Sequence, residues 1–304
     1  MTAAPNATAS VGIARRIKTP IVFVTGKGGV GKTTMAAGLA LCLAQAGHRT
    51  ALVEFDDDEA GKRALLGAEG LVRHEVIQYG PALESVLGPI LGGTFVARTL
   101  LGHPAILRLI RTIPALREFV SLERVRTLLA EGSVDRVVAD LPASGHAVDW
   151  LRVPGAFERF LVGGPLGELG RRVRAEVVAE DRCQVVIVTL AEPLVMAETG
   201  ELVARVKEEL GRRPSHLIVN RVAPPLAEAA RRAASELSRH PELGEDATLL
   251  VSFLEARAAA AADAVAALQA ARSMEGVEIV PVLESTVDPS VQDVALSLDR
   301  GATL

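Results

Sequence analysis

The apolar positions of this chain fall into two alternating patterns. Short runs recur at Ile21–Val24, Thr50–Phe55, His74–Gln78, Val134–Ala139, Gln184–Thr189, Ser215–Val219 and Val277–Val282. Most are rich in β-branched residues and too short for a helix, which predicts strands buried in a sheet. Longer stretches lie between them. Thr34–Ala46 is apolar nearly all round and stops at Gly47, the pattern of a helix covered on every side. Glu192–Thr199 opens a second helix with Pro193 in its first turn, and Gly211 fits its end. Leu226–His240 and the alanine-rich Thr248–Met274 predict two more, and Val291, Val294 and Leu298 share a helical face near the end of the chain. Strands alternating with helices predict an α/β fold: a mostly parallel central sheet with helices on both faces.

One region departs from that alternation. From Pro81 to Ala130 the pattern is helical, with breaks expected at Gly88-Pro89, Gly92-Gly93, Gly102-His103-Pro104 and Pro114. Leu100, Leu101, Ile106, Leu107, Leu109, Ile110, Ile113, Leu116 and Phe119 make it apolar, and Arg98, Arg108, Arg111 and Arg117 interrupt it. A helical subdomain over about 81–130 is expected, packed on itself or on a partner subunit. The alternative is a surface for a client protein or for transient membrane contact, since basic amphipathic helices bind membranes. A shorter helical segment is expected over about 151–182. Residues 1–18 have no apolar core before a cleavage site and are expected to be a flexible tail. Residues 19–304 then form one domain.

Composition narrows the class. Half of the 304 residues are apolar and the formal net charge is −4, ordinary for a globular chain with a large core. That mild acidic excess argues against general nucleic-acid binding, which needs a basic footprint. No uncharged run approaches the length of a membrane span. The two cysteines, Cys42 and Cys183, form no C-x-x-C, so a reducing cytoplasm is the expected setting.

The candidate chemistry begins directly after the first strand. Gly26, Gly31, Lys32 and Thr33 fit G-x-x-x-x-G-K-[ST], the phosphate-binding loop, between a strand and a helix as that loop requires. Glycines let backbone N–H groups close around phosphate oxygens, and the helix start adds free N–H groups and partial positive charge. Lys32 is expected on the β- and γ-phosphates of ATP and the Thr33 hydroxyl on Mg²⁺. Gly28, Gly29, Val30 and Thr34 complete the cradle. Acids at the C-terminal ends of strands lie at the ligand edge of such a sheet. Asp56, with Asp57 and Asp58 beside it, can orient the attacking water there. Asp140 closes another buried strand, as expected of a carboxylate that holds Mg²⁺ through water, so Thr33, Asp56 and Asp140 form the candidate metal set. Gly145 can bring a backbone N–H to the γ-phosphate. Asn220 and Arg221 end a further strand, and an amide's paired donor and acceptor suit an adenine edge.

The full string Lys27-Gly-Gly-Val-Gly-Lys-Thr-Thr34 resembles the deviant Walker A of a P-loop ATPase class that includes ParA, MinD, the nitrogenase iron protein and the ArsA arsenite-pump family. Asp140-Leu-Pro-Ala-Ser-Gly-His146 narrows the likeness. It is similar to the D-T-A-P-T-G-H switch II of ArsA and of the ATPase that targets tail-anchored membrane proteins, with the Ala-Pro order swapped at Pro142-Ala143. Glu192-Pro-Leu-Val-Met-Ala-Glu-Thr199 resembles the E-x-L-x-x-x-E-T stretch of that family. The resemblance spans Ile21 to about Leu283. It implies that Lys27 reaches across a dimer interface to the partner's nucleotide, where such a charge is worth about 10³–10⁵ in rate. It implies a water-positioning role for an acid in switch I, a switch-coupling role for His146, an adenine role for Asn220, and a place beside the adenine for Pro281. The class often has a proline after the switch I acid, where this chain has Asp57.

A slow cytoplasmic ATPase of the ArsA-like group follows, in which two chains sandwich two Mg·ATP and act on an unidentified protein partner. The second chain can be another copy or a paralogous ATPase. Arsenite in this family is held by three thiolates, which two distant cysteines do not supply. The tail-anchored targeting role lacks its C-x-x-C zinc clamp here, and the second helical insertion is short. The alternatives are a ParA/MinD-type positioning switch, disfavoured by the acidic balance and His146, and a regulatory subunit that binds ATP with little hydrolysis. An iron–sulfur reductase would need cluster cysteines after the switch, and none stand there.

Overall fold

The computed structural model describes residues 12–55, 59–104, 108, 112–113, 115–142, 147–161, 164–239 and 245–300. Among them, β1 (Ile21–Gly26), β2 (Thr50–Phe55), β3 (Val72–Ile77), β4 (Arg136–Asp140), β5 (Cys183–Leu190), β6 (His216–Val222) and β7 (Glu278–Leu283) form one sheet. Its order is β3-β2-β4-β1-β5-β6-β7, and every neighbouring pair is parallel. The expected fold class is therefore the observed one. β1 lies at the centre, between β4 and β5, with Val24 in register with Asp140 and Gly26 with Val188. Chain direction reverses its order of travel across the sheet at this strand, and the crevice outside the carboxyl ends at such a point is where open α/β sheets bind ligands.

Strand alternation sends side chains to two cores. Ile21 and Phe23 of β1 point into one, Val22 and Val24 into the other, all fully buried. The first core is closed by helices Tyr79–Leu91, Leu116–Ala130, Ala147–Phe160 and Pro193–Leu210 and is knitted by aromatic contacts. Phe119 stacks on Phe157 with centroids 4.1 Å apart, and Phe55 meets Trp150 edge-on at 4.6 Å. The second core holds helix Lys32–Gln45, whose residues Met35 to Leu43 are all buried. This helix is apolar all round because helix Val291–Arg300 covers its outer side with Val294, Ala295 and Leu298. Cys42 donates its thiol to Ala295 O at 3.1 Å, so it belongs to that core.

Several local expectations are redrawn. Gly88-Pro89 does not break its helix, which runs from Tyr79 to Leu91 with Pro89 near its end and stops at Gly92 in a left-handed conformation. A proline so close to the end disturbs little of the helix that follows it. Helix Leu116–Ala130 buries Phe119, Val120, Leu122, Val125 and Leu128 in the first core, so this part of 81–130 is a sheet-covering layer. Over the stretch after Trp150, where helical structure is expected, helix Ala147–Phe160 carries Pro154 inside it, and helix Pro165–Val173 runs into a π-helical turn at Arg174–Val178. Among the described residues no helix is long and apolar enough to cross a membrane.

Candidate functional site

β1 delivers the chain to the phosphate-binding loop, and packing dictates the glycine that starts it. Gly26 has φ +151°, and a Cβ there would stand 2.1 Å from Val188 O on β5. At the other end Gly31 has φ +88° and caps helix Lys32–Gln45, and a Cβ would meet Asn220 Nδ2 at 2.6 Å. Only glycine satisfies both the dihedral and the space. Gly28 and Gly29 are exposed on the crest between them, with Val30 buried beneath.

The functional side chains meet at this loop from the carboxyl ends of β1, β4 and β6, with helix Pro193–Leu210 beside them. Lys32 turns back so that Nζ donates to Lys27 O at 3.0 Å, which places its charge inside the loop. Burial holds the Lys32 ammonium below the ordinary lysine value, while Asp140 opposes that shift. Thr33 Oγ1 donates to Asp140 Oδ2 at 2.5 Å, joining the first turn of the helix to the end of β4. Asn220, 7% exposed on β6, donates Nδ2 to Val30 O at 2.9 Å and accepts the Arg221 N–H on Oδ1 at 2.8 Å. Arg221 itself has φ +53°, at the irregular β6–β7 pairing between Val219 and Val222. Lys27, half-exposed, holds the Glu198 carboxylate at 2.7 Å.

Beside the loop lies an open cavity of about 880 Å³. Thr34, Asn220, Arg221, Leu283 and Val287 contribute to its walls. Pro281 lies inside β7, paired with Val219, and the cavity lining begins one residue later at Val282. The segment that borders this cavity is thus 282–289. Asp56, Asp57 and Asp58, and Gly145 and His146, lie outside the described residues.

The donor set suits a hard cation. Thr33 and Asp140 present oxygen ligands in contact with each other, and Mg²⁺ takes few protein ligands, completing its shell with water and phosphate oxygens. The lysine inside the loop and the glycine-limited backbone fit a polyphosphate. Bound Mg²⁺ would be held by Thr33 directly and by Asp140, and would neutralise charge on the phosphoryl oxygens.

Two acids escaped the sequence reading. Glu54, 3% exposed near the end of β2, accepts the Gly61 N–H at 2.7 Å and lies 2.6 Å from His74 Nε2 on β3. It ties both sides of the 56–58 segment to the sheet. The signal was a carboxylate inside an apolar strand, since a buried charge demands partners. Glu198 was visible within a motif, with no role attached.

Residues 21–261 match the family described as the CobQ/CobB/MinD/ParA nucleotide binding domain, and the chain belongs to that family of P-loop nucleotide-binding domains. Relatives lie on both the arsenical-pump side and the MinD side of that family. The chain is similar to an arsenical pump-driving ATPase of Acidiphilium multivorum, 29% identical over 239 residues that cover 67% of this chain and 40% of that protein. One from Escherichia coli is 27% identical over 240 residues, 67% of this chain and 39% of its own length. An ATPase named get3 from Botryotinia fuckeliana is 29% identical over 151 residues, 46% and 44% of the two chains. The chain spans about 40% of the length of the arsenical pump-driving ATPases it matches. Family membership implies ATP with Mg²⁺ as ligand.

Proposed function

We propose that this chain is an ArsA-like ATPase that works as a pair of chains and couples its nucleotide state to a protein partner. The observation that carries this is the meeting of Lys32, Thr33 and Asp140 at the carboxyl ends of the two central strands, with Lys27 half-exposed on the same loop. Lys32 and the loop N–H groups hold the phosphates. Thr33 and Asp140 hold Mg²⁺. Asp56 orients the attacking water, Gly145 offers an N–H to the γ-phosphate, and Lys27 delivers charge to the partner's nucleotide. The adenine sits in the cavity beside Asn220. Each end of that amide retains one further hydrogen-bonding capacity after its bonds to Val30 and Arg221.

The chemistry of the two thiols turns the proposal away from arsenite. Cys42 and Cys183 are both buried, in different cores, and burial with the nearby Asp299 charge pushes the Cys42 thiol up to about 12. Neither is a ready thiolate. The proposed client is therefore a protein, and the proposed setting the cytoplasm, where free thiols persist.

The test is ATP turnover by wild type, Lys27→Ala and Asp56→Asn. A loss of about 10²-fold or more in each variant is expected, in the range of a lost charge or water-positioning group. Full activity in both variants rejects the assignment.

A further inference from the structure

The ion pair between Lys27 and Glu198 joins a loop residue to a helix 171 positions away. Lys27 Nζ lies 2.7 Å from both Glu198 carboxylate oxygens, a two-pronged contact. The geometry is imposed from behind. Helix Pro193–Leu210 packs on β5, and Thr199, the residue after Glu198, is buried against that strand. Its hydroxyl lies 2.7 Å from Thr189 Oγ1 and donates to Val195 O at 2.7 Å. With Val195, Met196, Leu202 and Val206, that buried threonine marks the inward face of the helix, and Glu198 beside it reaches the loop. The Lys27 carbonyl is also engaged, by Lys32 Nζ. Both ends of residue 27 are therefore held by its own chain.

The same helix face is open. Leu194 stands one turn before Glu198 and is 70% exposed, and Pro193 and Ala197 are exposed beside it. Residues four apart share one helix face, so the ion pair borders a small apolar surface next to the phosphate loop.

We propose that Glu198 is a positioning residue for Lys27: it holds the lysine on its own chain until a second copy docks, and its release is a step of nucleotide-gated pairing. The proposal rests on the two-chain reading above. A second copy fits the surface because the pair is self-complementary in charge. Across a two-fold axis each lysine can leave its own carboxylate as it gains the other chain's phosphates. Both side chains are 41% exposed, so the contact is a weak latch that thermal motion opens readily. A pair of this exposure biases an equilibrium by up to about fivefold per chain. Two chains must open together, so the factors multiply and removal should tighten pairing by about four- to twenty-five-fold.

The variant is Glu198→Gln, which keeps size and removes charge. In nucleotide-free protein, the rate of Lys27 acetylation by an amine reagent is read by mass spectrometry against exposed Lys62. The expected result is a rise of about two- to fivefold over wild type. With Mg²⁺ and a non-hydrolysable ATP analogue, the protein concentration at half-dimer should fall by about four- to twenty-five-fold. Unchanged Lys27 labelling overturns the latch. Raised labelling with an unchanged or higher half-dimer concentration overturns the gate while leaving the two-chain reading intact. A wild type that stays monomeric with the analogue overturns the pairing of two copies of this chain and the gate with it.

Discussion

Gly31 shows how much one position can carry. Its φ of +88° opens the helix that presents Lys32 and Thr33, and the empty space at its α-carbon is filled by the Asn220 amide. Gly31→Ala should cost about 1–3 kcal/mol of stability from strain and abolish nucleotide binding. Urea unfolding and calorimetric titration with the ATP analogue read the two effects; a variant that binds normally would contradict this account of the loop. His216 offers a prediction of another kind. It is 2% exposed in β6, and burial, helped by Arg16, pushes its imidazole down to about 4. Glu278 lies 3.3 Å from Nε2 but is itself paired with Arg16, so burial prevails. The folded pKa is below the unfolded value of about 6.5. The stability His216 contributes is therefore complete above pH 6.5 and is lost as pH falls toward 4. Between pH 7.5 and 4.5 the wild type should lose about 2–3 kcal/mol more than His216→Gln, by denaturant unfolding. Equal losses would show that this histidine is not held neutral.

Helix Lys32–Gln45 connects the site to the core. Its first turn holds Lys32 and Thr33, and its middle is sealed between the sheet and helix Val291–Arg300. Gly38 sits so close to Val294 that a Cβ would meet Val294 Cγ1 at 2.3 Å. Leu298, 1% exposed, completes that seal. Leu298→Ala should destabilise by about 2–5 kcal/mol through lost burial and a residual cavity. Denaturant unfolding checks this, and a change under 1 kcal/mol would mean that the C-terminal helix contributes little to closing the fold. The apolar, uncharged run of residues 35–43 announced a buried helix. Its cover could not be read, because the amphipathic stretch from Val291 to Leu298 matches any apolar face of similar width.

The proposed pairing of chains has its own measurement. Light scattering of wild type should give the monomer mass without nucleotide and with ADP, and twice that mass with Mg²⁺ and the non-hydrolysable analogue. Lys32→Ala should stay monomeric in all three. A constant dimer would indicate a permanent scaffold. A constant monomer would point to a paralogous chain as the second half. The helical region between β3 and β4 is the second surface to watch. Phe95 is 82% exposed there, and Leu91, Val96 and Leu100 are partly exposed around it. An exposed apolar surface of this kind is a candidate contact for a partner protein.

The parallel α/β fold was legible because it is written locally: buried strands need unbroken apolar runs, covering helices need a 3.6-residue stripe, and a phosphate loop needs glycines where no side chain fits. Gly26, Gly31, Lys32, Thr33 and Asp140 stand at recognisable offsets from strand ends, which is why the sequence alone nominates them together as a candidate phosphate site. What the tertiary structure decided are the contacts between distant segments. Thr33 meets Asp140 because β1 and β4 are neighbours in register. Asn220 reaches Val30 across β5, and Glu54 finds Gly61 and His74. Lys27 meets Glu198 because helix Pro193–Leu210 packs its buried face beside the loop. Periodicity reports which face of an element is buried. The partner that buries it follows from strand order and from side-chain packing density, which are properties of the folded chain alone.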